Sequence, residues 1–250
     1  MNKKELKDFL NFKAEEYENP NFIELDPVSI PHQFNRKEDI EIAGLLSATI
    51  AWGNRKSILT NAAKMMAIME GEPYQFICSY SARDFKKLNG FVHRTFNAED
   101  FDFFIRALQH IYLNRGGLET VFQGANAKQA ILNFRSEMLQ VAHLPRSEKH
   151  LSNPDKNSAA KRLNMFLRWM VRPAHKGVDF GLWSSLSPAQ LSCPLDVHSG
   201  NVARKLGLLK RQPNDWKAVV ELDLALRKLD AQDPVKYDFA LFGMGVNEKF

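Results

Sequence analysis

The sequence has 250 residues, of which 44% are hydrophobic and 25% are charged, and its formal net charge is +5. A chain of this length and composition can bury a full core, so it is not expected to be disordered or fibrous. No apolar run approaches the roughly 18 residues that span a bilayer, and the charged first helix is not typical of a secretory signal. We therefore expect a cytoplasmic protein without membrane association, located at the nucleoid if the source is bacterial.

The positions of the charged residues indicate the kind of partner, and the number of cysteines limits the possible metal sites and disulfides. Residues 126–250 hold 19 Lys and Arg against 12 Asp and Glu, and eight of the basic residues lie between Arg146 and Lys176. Such a basic stretch favours a polyanionic partner, nucleic acid first, although a solvated surface gives the same pattern. The two cysteines, Cys78 and Cys193, are too few for a disulfide framework, a zinc site or an iron–sulfur cluster. We expect no metal and no cofactor.

Apolar residues at helical spacing predict helices along the whole chain. In order, the predicted helices cover residues 1–18, 39–52, 57–69, 73–78, 83–88, 99–113, 118–123, 127–141, 161–171, 197–206, 216–229 and 235–245. The polar stretch 143–158 is predicted to be a loop, and no stretch shows a convincing strand alternation. The predicted fold class is all-α, with ten to twelve helices.

Two segments in the second half of the chain carry a possible reactive pair. SAAKRLNMFLRWMVR opens a helix at Lys161, and CPLDVH is a turn that leads into the next helix with Asp196 at its mouth. A lysine and an aspartate at two helix N-termini can make an amine nucleophile and its carboxylate partner. Two simpler interpretations stay open: Lys161 as a solvated or phosphate-facing lysine, and Asp196 as an N-cap.

These segments resemble the helix-hairpin-helix DNA glycosylase superfamily, in which a lysine and a Pro-x-Asp-x-His turn occur in this order. The spacing of Lys161 and Asp196 is similar to that of the archaeal 8-oxoguanine glycosylase branch. LNMFLRWMVR and PLDVH also look like a bacterial branch whose function is only inferred. IAGLLSATIAWGNRKSILTNAAKMM resembles the family's helical hairpin beside the base pocket, and DPVKYDFALFGMG its late helix. The family's Gly-x-Gly hairpin, which binds a phosphate, corresponds here to NPDKNSAA, and this segment departs from the family pattern because it has no glycine.

The resemblance implies two interleaved helical domains with a cleft between them. The first would be a helical barrel over residues 38–172 that ends in the lysine helix, and the second would combine residues 1–37 with 173–250. It also implies a monomeric base-excision repair glycosylase with possible AP-lyase activity. Such an enzyme acts on a flipped damaged base in DNA, with an oxidised purine as one candidate. The alternatives are a catalytically inactive nucleic-acid-binding protein on the same fold and an all-α protein–protein scaffold.

The same resemblance assigns the site residues. Lys161 would attack C1′ of the damaged nucleotide, and Asp196 would deprotonate the amine and stabilise the oxocarbenium-like sugar. The base pocket would include Trp52, Trp169 and Asp238; the two tryptophans are equally typical of a core, and Asp238 of a buried ion pair. The residues expected to contact DNA are Arg55, Lys156, Arg162, Arg168, Arg172, His198 and Arg204.

Overall fold

A computed structural model describes residues 1–248 and residue 250 of the chain. The described residues are mainly helical and form twelve α-helices, which confirms the all-α prediction. These are α1 (Lys3–Tyr17), α2 (Lys37–Thr49), α3 (Arg55–Ile68), α4 (Pro73–Ser79), α5 (Phe85–Leu88), α6 (Ala98–Asn114), α7 (Leu118–Val121), α8 (Ala127–Met138), α9 (Lys161–Val171), α10 (Val197–Lys205), α11 (Trp216–Arg227) and α12 (Tyr237–Gly243).

Short elements connect the helices. Strands β1 (Val92–His93) and β2 (Phe96–Asn97) form a small antiparallel hairpin in which Val92 pairs with Asn97. A π-helical turn, Met244–Glu248, follows α12 directly. None of the helices in the described part of the chain has the length and apolar character that crossing a bilayer requires.

The ends of several helices follow from side-chain capping. Asn2, Asn97, Asp196 and Asp215 precede α1, α6, α10 and α11, and each accepts a hydrogen bond from a backbone amide of the first turn. Asn and Asp are favoured at this position because their side-chain oxygens satisfy amides that have no partner within the helix. Capping residues in the sequence therefore determine where these four helices begin.

The chain divides into two compact units. The first comprises Met1–Phe22, Ala125–Lys128 and Asn153–Phe250, and the second comprises Ile23–Gly124 and Gln129–Ser152. Residues 153–172, with the lysine helix α9, belong to the unit that contains α1 and α12. The domain boundaries predicted from the sequence assign residues 23–37, 125–128 and 153–172 differently from these units, and they stay a prediction.

In the first unit, α1 packs closely on α12 at Gly243. A Cβ atom at Gly243 would lie 2.3 Å from the Tyr17 ring, so only glycine allows this approach. Beside it, the Phe22 and Phe239 rings meet edge to face with centroids 5.4 Å apart, a favourable aromatic geometry. This packing fixes α12, which lies beside the lysine helix.

The second unit has a core rich in phenylalanine. The rings of Phe122 and Phe134 are stacked with centroids 4.2 Å apart. Five further phenylalanines are fully buried, namely Phe91, Phe96, Phe101, Phe103 and Phe104. Burying an aromatic side chain contributes about 1.5–3 kcal/mol, so these rings supply much of the stability of the unit.

The polar stretch 143–158 is more ordered than the predicted loop, since it contains the 3₁₀ helices Pro145–His150 and Pro154–Lys156. The first of these is fixed by the buried carboxylate of Asp100. Ser147 Oγ donates to Asp100 Oδ1 at 2.6 Å, and His150 Nε2 lies 3.3 Å from Asp100 Oδ2. Polar side chains that pair with a buried carboxylate look like loop residues in the sequence, which is why the prediction missed this helix.

Candidate functional site

Lys161 is the first residue of α9, and the residue before it, Ala160, has a strained backbone conformation. Ala160 precedes it with φ 47° and ψ 35°, in the left-handed region that costs a non-glycine residue about 1 kcal/mol or more. Asn164 stabilises this turn, because its side-chain amide donates to the Ala159 carbonyl at 3.1 Å. Asn164 is fully buried, so this hydrogen bond at the start of α9 is shielded from water.

Asp196 is the N-cap of α10 and is held by hydrogen bonds on both sides. Its Oδ1 accepts from the Ser199 amide at 3.0 Å and from the Ser199 hydroxyl at 3.2 Å. Its backbone carbonyl accepts from the Asn214 side chain at 2.9 Å. These contacts use one carboxylate oxygen for capping, and they aim the other, Oδ2, away from the helix.

The structure brings the two predicted catalytic residues together. Lys161 Nζ lies 3.3 Å from Asp196 Oδ2, and the two side chains keep 29% and 20% of their surface exposed. The ammonium group also lies 5.8 Å from the centre of the Phe242 ring, within the range of a cation–π contact. The amine and the carboxylate are therefore within proton-transfer reach of each other at a solvent-accessible position. The sequence reasoning missed Phe242.

The turn before α9 forms without glycine. Asn157 and Ala160 both adopt left-handed backbone conformations, with φ 64° and φ 47°. The Asn157 side chain donates to Asp215 Oδ2 at 2.8 Å, and its carbonyl accepts from the Trp216 amide at 3.1 Å. The residue before α9 is Ala160, whose methyl side chain accepts no hydrogen bond from the first turn of the helix.

Arg168 and Arg172, which were expected to contact DNA, are buried instead. Arg168 donates to Asp238 Oδ2 and lies 3.2 Å from Asp179 Oδ1. Arg172 pairs with Asp179 Oδ2 at 2.6 Å and with Glu18 Oε1 at 2.6 Å. The prediction for these two arginines is corrected, because their guanidinium groups are already paired with internal carboxylates.

This chain of buried charges, formed by Glu18, Arg168, Arg172, Asp179, Asp233 and Asp238, is named here the ion-pair network. Asp233 Oδ2 lies 2.9 Å from Arg172 and keeps 25% of its side chain exposed, so it marks the outer end of the network. Burial and the surrounding carboxylates have opposite effects on the Arg172 guanidinium, and the net result raises the pKa of Arg172. The network ties α9 to α12 and to the C-terminal end of α1.

The two other residues of the predicted base pocket in this unit, Trp169 and Asp238, are also buried. Trp169 is fully buried, and Asp238 is only 5% exposed. Burial raises the pKa of Asp238 to about 6, although the Arg168 cation opposes this effect. Neither side chain offers a surface to a base in this structure, so both fit the core and ion-pair interpretations that the sequence left open.

Trp52 lies in the second unit, between α2 and α3, and is partly exposed. Its ring meets the His93 ring edge to face at 5.1 Å and lies 5.9 Å from the His150 ring. His93 Nε2 lies 3.2 Å from the Trp52 carbonyl, and burial lowers the pKa of His93. Two imidazoles thus hold Trp52 in place while part of the indole faces solvent.

The remaining predicted DNA contacts have different degrees of exposure. Arg55, Lys156 and His198 are exposed, whereas Arg162 is half-buried, and burial lowers the pKa of Arg162 to about 10. Arg204 is held by the carbonyls of neighbouring residues, with Nε 2.9 Å from the Arg211 oxygen. An open groove of about 490 Å³ runs along α10 and is lined by His198, Asn201, Arg204, Lys205, Gly245 and Phe250.

The described residues contain no group of three or more His, Cys, Asp or Glu side chains that could hold a metal ion. Both cysteines are free thiols; Cys78 is half-buried, and Cys193 is fully buried beside Asp223.

Comparison with known proteins adds a family. The model of a family described as "Protein of unknown function (DUF2400)" matches residues 26–247. Neither the curated proteins nor the solved structures contain a match to the chain. Because the family match covers most of the sequence, the protein belongs to the DUF2400 family.

Proposed function

We propose that this protein is a DNA glycosylase with AP-lyase activity, in which Lys161 is the nucleophile and Asp196 its proton acceptor. The observation that carries the proposal is the 3.3 Å separation of Lys161 Nζ and Asp196 Oδ2 at a partly exposed position. A nucleophile and its base within hydrogen-bond reach, the base being oriented by a further group, are typical of covalent catalysis. Here the orienting group is Ser199, which binds the other carboxylate oxygen.

The proposed reaction begins with Lys161 in its ammonium form. Transfer of one proton from Lys161 to Asp196 frees the lone pair on Nζ, which attacks C1′ of the damaged nucleotide. The C1′–N bond breaks, and its electron pair leaves with the base, which takes up a proton. Nitrogen then loses a second proton, and its lone pair expels O4′, which takes up a proton as the sugar ring opens. The product is a protonated imine between Lys161 and C1′. Removal of a C2′ proton then expels the 3′ phosphate, which is β-elimination.

A polyanionic substrate agrees with the surface near this pair. The side chains of Lys156 and His198 are exposed, and the groove along α10 contains Lys205. Asn157 and Ala160 adopt the left-handed backbone conformation that glycine usually provides in such a turn. The absence of glycine from this segment therefore does not prevent the turn from forming.

The partly exposed Trp52 in the second unit supports a stacking contact with an unpaired base, since aromatic faces hold bases regardless of sequence. Arg55, the first residue of α3, is exposed and is proposed to contact the DNA backbone. Trp169, Asp238, Arg168 and Arg172 are left out of the proposed DNA contacts because they are buried.

The test is trapping of the imine by borohydride on a duplex with an abasic site or 8-oxoguanine. Wild type is expected to give a covalent adduct that Lys161→Gln abolishes. Lys156→Gln is the matched control, because Lys156 is an exposed lysine only five residues away. It should weaken binding slightly and keep trapping. Salt-dependent binding without any adduct would instead favour the inactive nucleic-acid-binding protein.

A further inference from the structure

Asp238 is in contact with both chain segments that carry the reactive pair. Its Oδ2 accepts a hydrogen bond from Arg168, which lies on α9 two turns after Lys161. Its Oδ1 lies 4.0 Å from the thiol of Cys193, which is three residues before Asp196. A single buried carboxylate on α12 therefore contacts the lysine helix and the turn that leads to the aspartate.

The spacing along α9 and α12 gives Asp238 a defined place relative to Lys161. The ammonium of Lys161 lies 5.8 Å from the Phe242 ring, and the guanidinium of Arg168 lies 4.1 Å from the Phe239 ring. Residues four apart share one face of a helix, so Asp238 and Phe242 both face α9. The Asp238 carboxylate is thus on the same helix interface as the Lys161 amine, one turn deeper.

We propose that Asp238 is a positioning residue of the Lys161–Asp196 site, whose buried charge sets how tightly the Lys161 amine holds its proton. This inference rests on the proposed function for the catalytic role of Lys161. The effect of Asp238 on protonation of the Lys161 amine can be measured without that function. Asp238 does not touch the substrate in this proposal. It acts through the ammonium and through the turn that holds Asp196.

The charges around Asp238 determine the direction of the effect. Lys161 and Arg168 stabilise its ionised form, whereas burial and the Asp196 carboxylate destabilise it. The other charged and titratable groups on the elements packed around it are Glu18 on α1, Arg172 on α9, Asp179 and Cys193 on the connecting segment, and Asp223 on α11. An ionised Asp238 favours the ammonium form of Lys161, and a neutral Asp238 favours release of its proton.

Asp238 changes its charge in the pH range in which proton release from Lys161 would be needed. Burial raises the pKa of Asp238 to about 6, so the carboxyl changes its charge a little below neutral pH. Arg168 keeps its second partner, Asp179, when Asp238 is protonated. The change of charge therefore leaves the guanidinium paired, and its electrostatic effect reaches the reactive amine.

The experiment measures the Lys161 amine without any DNA. The full chain is treated with formaldehyde and cyanoborohydride near pH 7, and methylation of Lys161 is followed by peptide mass spectrometry, since only the neutral amine reacts. Asp238→Asn is expected to raise the labelling rate of Lys161 several-fold, because removal of a nearby buried negative charge weakens the attraction that keeps the proton on the amine. Asp233→Asn is the matched control, because Asp233 belongs to the same network but pairs with Arg172.

An unchanged labelling rate in Asp238→Asn, or an equal rise in Asp233→Asn, would overturn the inference. If Asp238→Asn does not fold, the wild type decides: the ¹³C resonance of dimethylated Lys161, assigned by its loss in Lys161→Arg, should show an inflection near pH 6. That inflection should persist in Asp196→Asn, and its absence from the wild type refutes the inference. Failure of borohydride trapping with a positive labelling result would remove the proposed function and leave this electrostatic coupling intact.

Discussion

Replacing Asp196 by asparagine separates its two roles in the structure. Asparagine keeps the cap of α10, because its side-chain oxygen can accept from the Ser199 amide as Asp196 does at 3.0 Å. The lost contact is the ion pair with Lys161, whose side chains are 29% and 20% exposed. Such a partly exposed pair contributes at most about 1 kcal/mol. A change of that size lowers the Tm of a chain this long by only about 2–4 °C.

The same substitution should have a large effect on catalysis. Loss of a general base typically slows a reaction by roughly 10²–10⁴-fold, so single-turnover trapping and base release by Asp196→Asn should fall by that factor. Asp196→Ala also removes the cap and should cost about 1 kcal/mol more in the free energy of unfolding, measured in urea. The control is Asp26→Asn, an N-cap of the 3₁₀ helix Pro27–Ser29 in the second unit, which should leave trapping unchanged. If Asp196→Asn traps as fast as wild type, Asp196 is only a helix cap and the catalytic hypothesis is refuted.

Three further substitutions test the structure itself. Ala160→Gly should leave the free energy of unfolding unchanged or raise it by up to about 1 kcal/mol, because glycine relieves the left-handed strain; a loss like that of Ala159→Gly in the same urea titration would contradict this. Gly243→Ala should destabilise the protein by about 1–3 kcal/mol in urea, since the new Cβ would lie 2.3 Å from the Tyr17 ring. The Arg211 guanidinium holds the pKa of Asp215 well below its usual range, so Asp215 stabilises the fold above its unfolded pKa of about 3.9 and loses this effect as the pH falls further. Wild type should therefore lose more stability below about pH 4 than Asp215→Asn, and parallel urea midpoints between pH 2 and 7 would refute the assignment.

The positions of the helices and of the reactive pair could be predicted from the sequence because both depend on local signals. The cap at Asp196 and the apolar spacing after Lys161 are each contained within a few residues. The contact between the two side chains also followed from the resemblance of their two segments to one family. Phe242 could have been predicted from helical spacing, since it follows Asp238 by four residues and therefore lies on the same face of α12.

The ion-pair network could not be predicted, because a charged residue looks the same in the sequence whether its partner is water or a distant carboxylate. Arg172 pairs with Glu18, which lies 154 residues earlier in the chain. The basic stretch that suggested a DNA-binding surface thus contributes two of its arginines to the interior. A third, Arg162, is half-buried. The positive charge that residues 146–176 can present to a polyanion is therefore smaller than their net charge in the sequence.

The burial of these charges bears directly on the reactive pair. Buried ion pairs contribute little net stability, because desolvation offsets most of their attraction, so stability alone is a weak reason for two arginines and four carboxylates in this unit. What the network does provide is a fixed geometry: Arg168 and Asp238 join α9 to α12, and Phe242 on α12 then lies beside the Lys161 ammonium. The proposed reaction requires the Lys161 amine to stay near the Asp196 carboxylate, which lies 3.3 Å away. A hydrogen-bonded charge network holds the lysine helix against rotation more specifically than apolar packing does. On this view the chemistry lies at the exposed ends of α9 and α10, and the buried charges determine where those ends are.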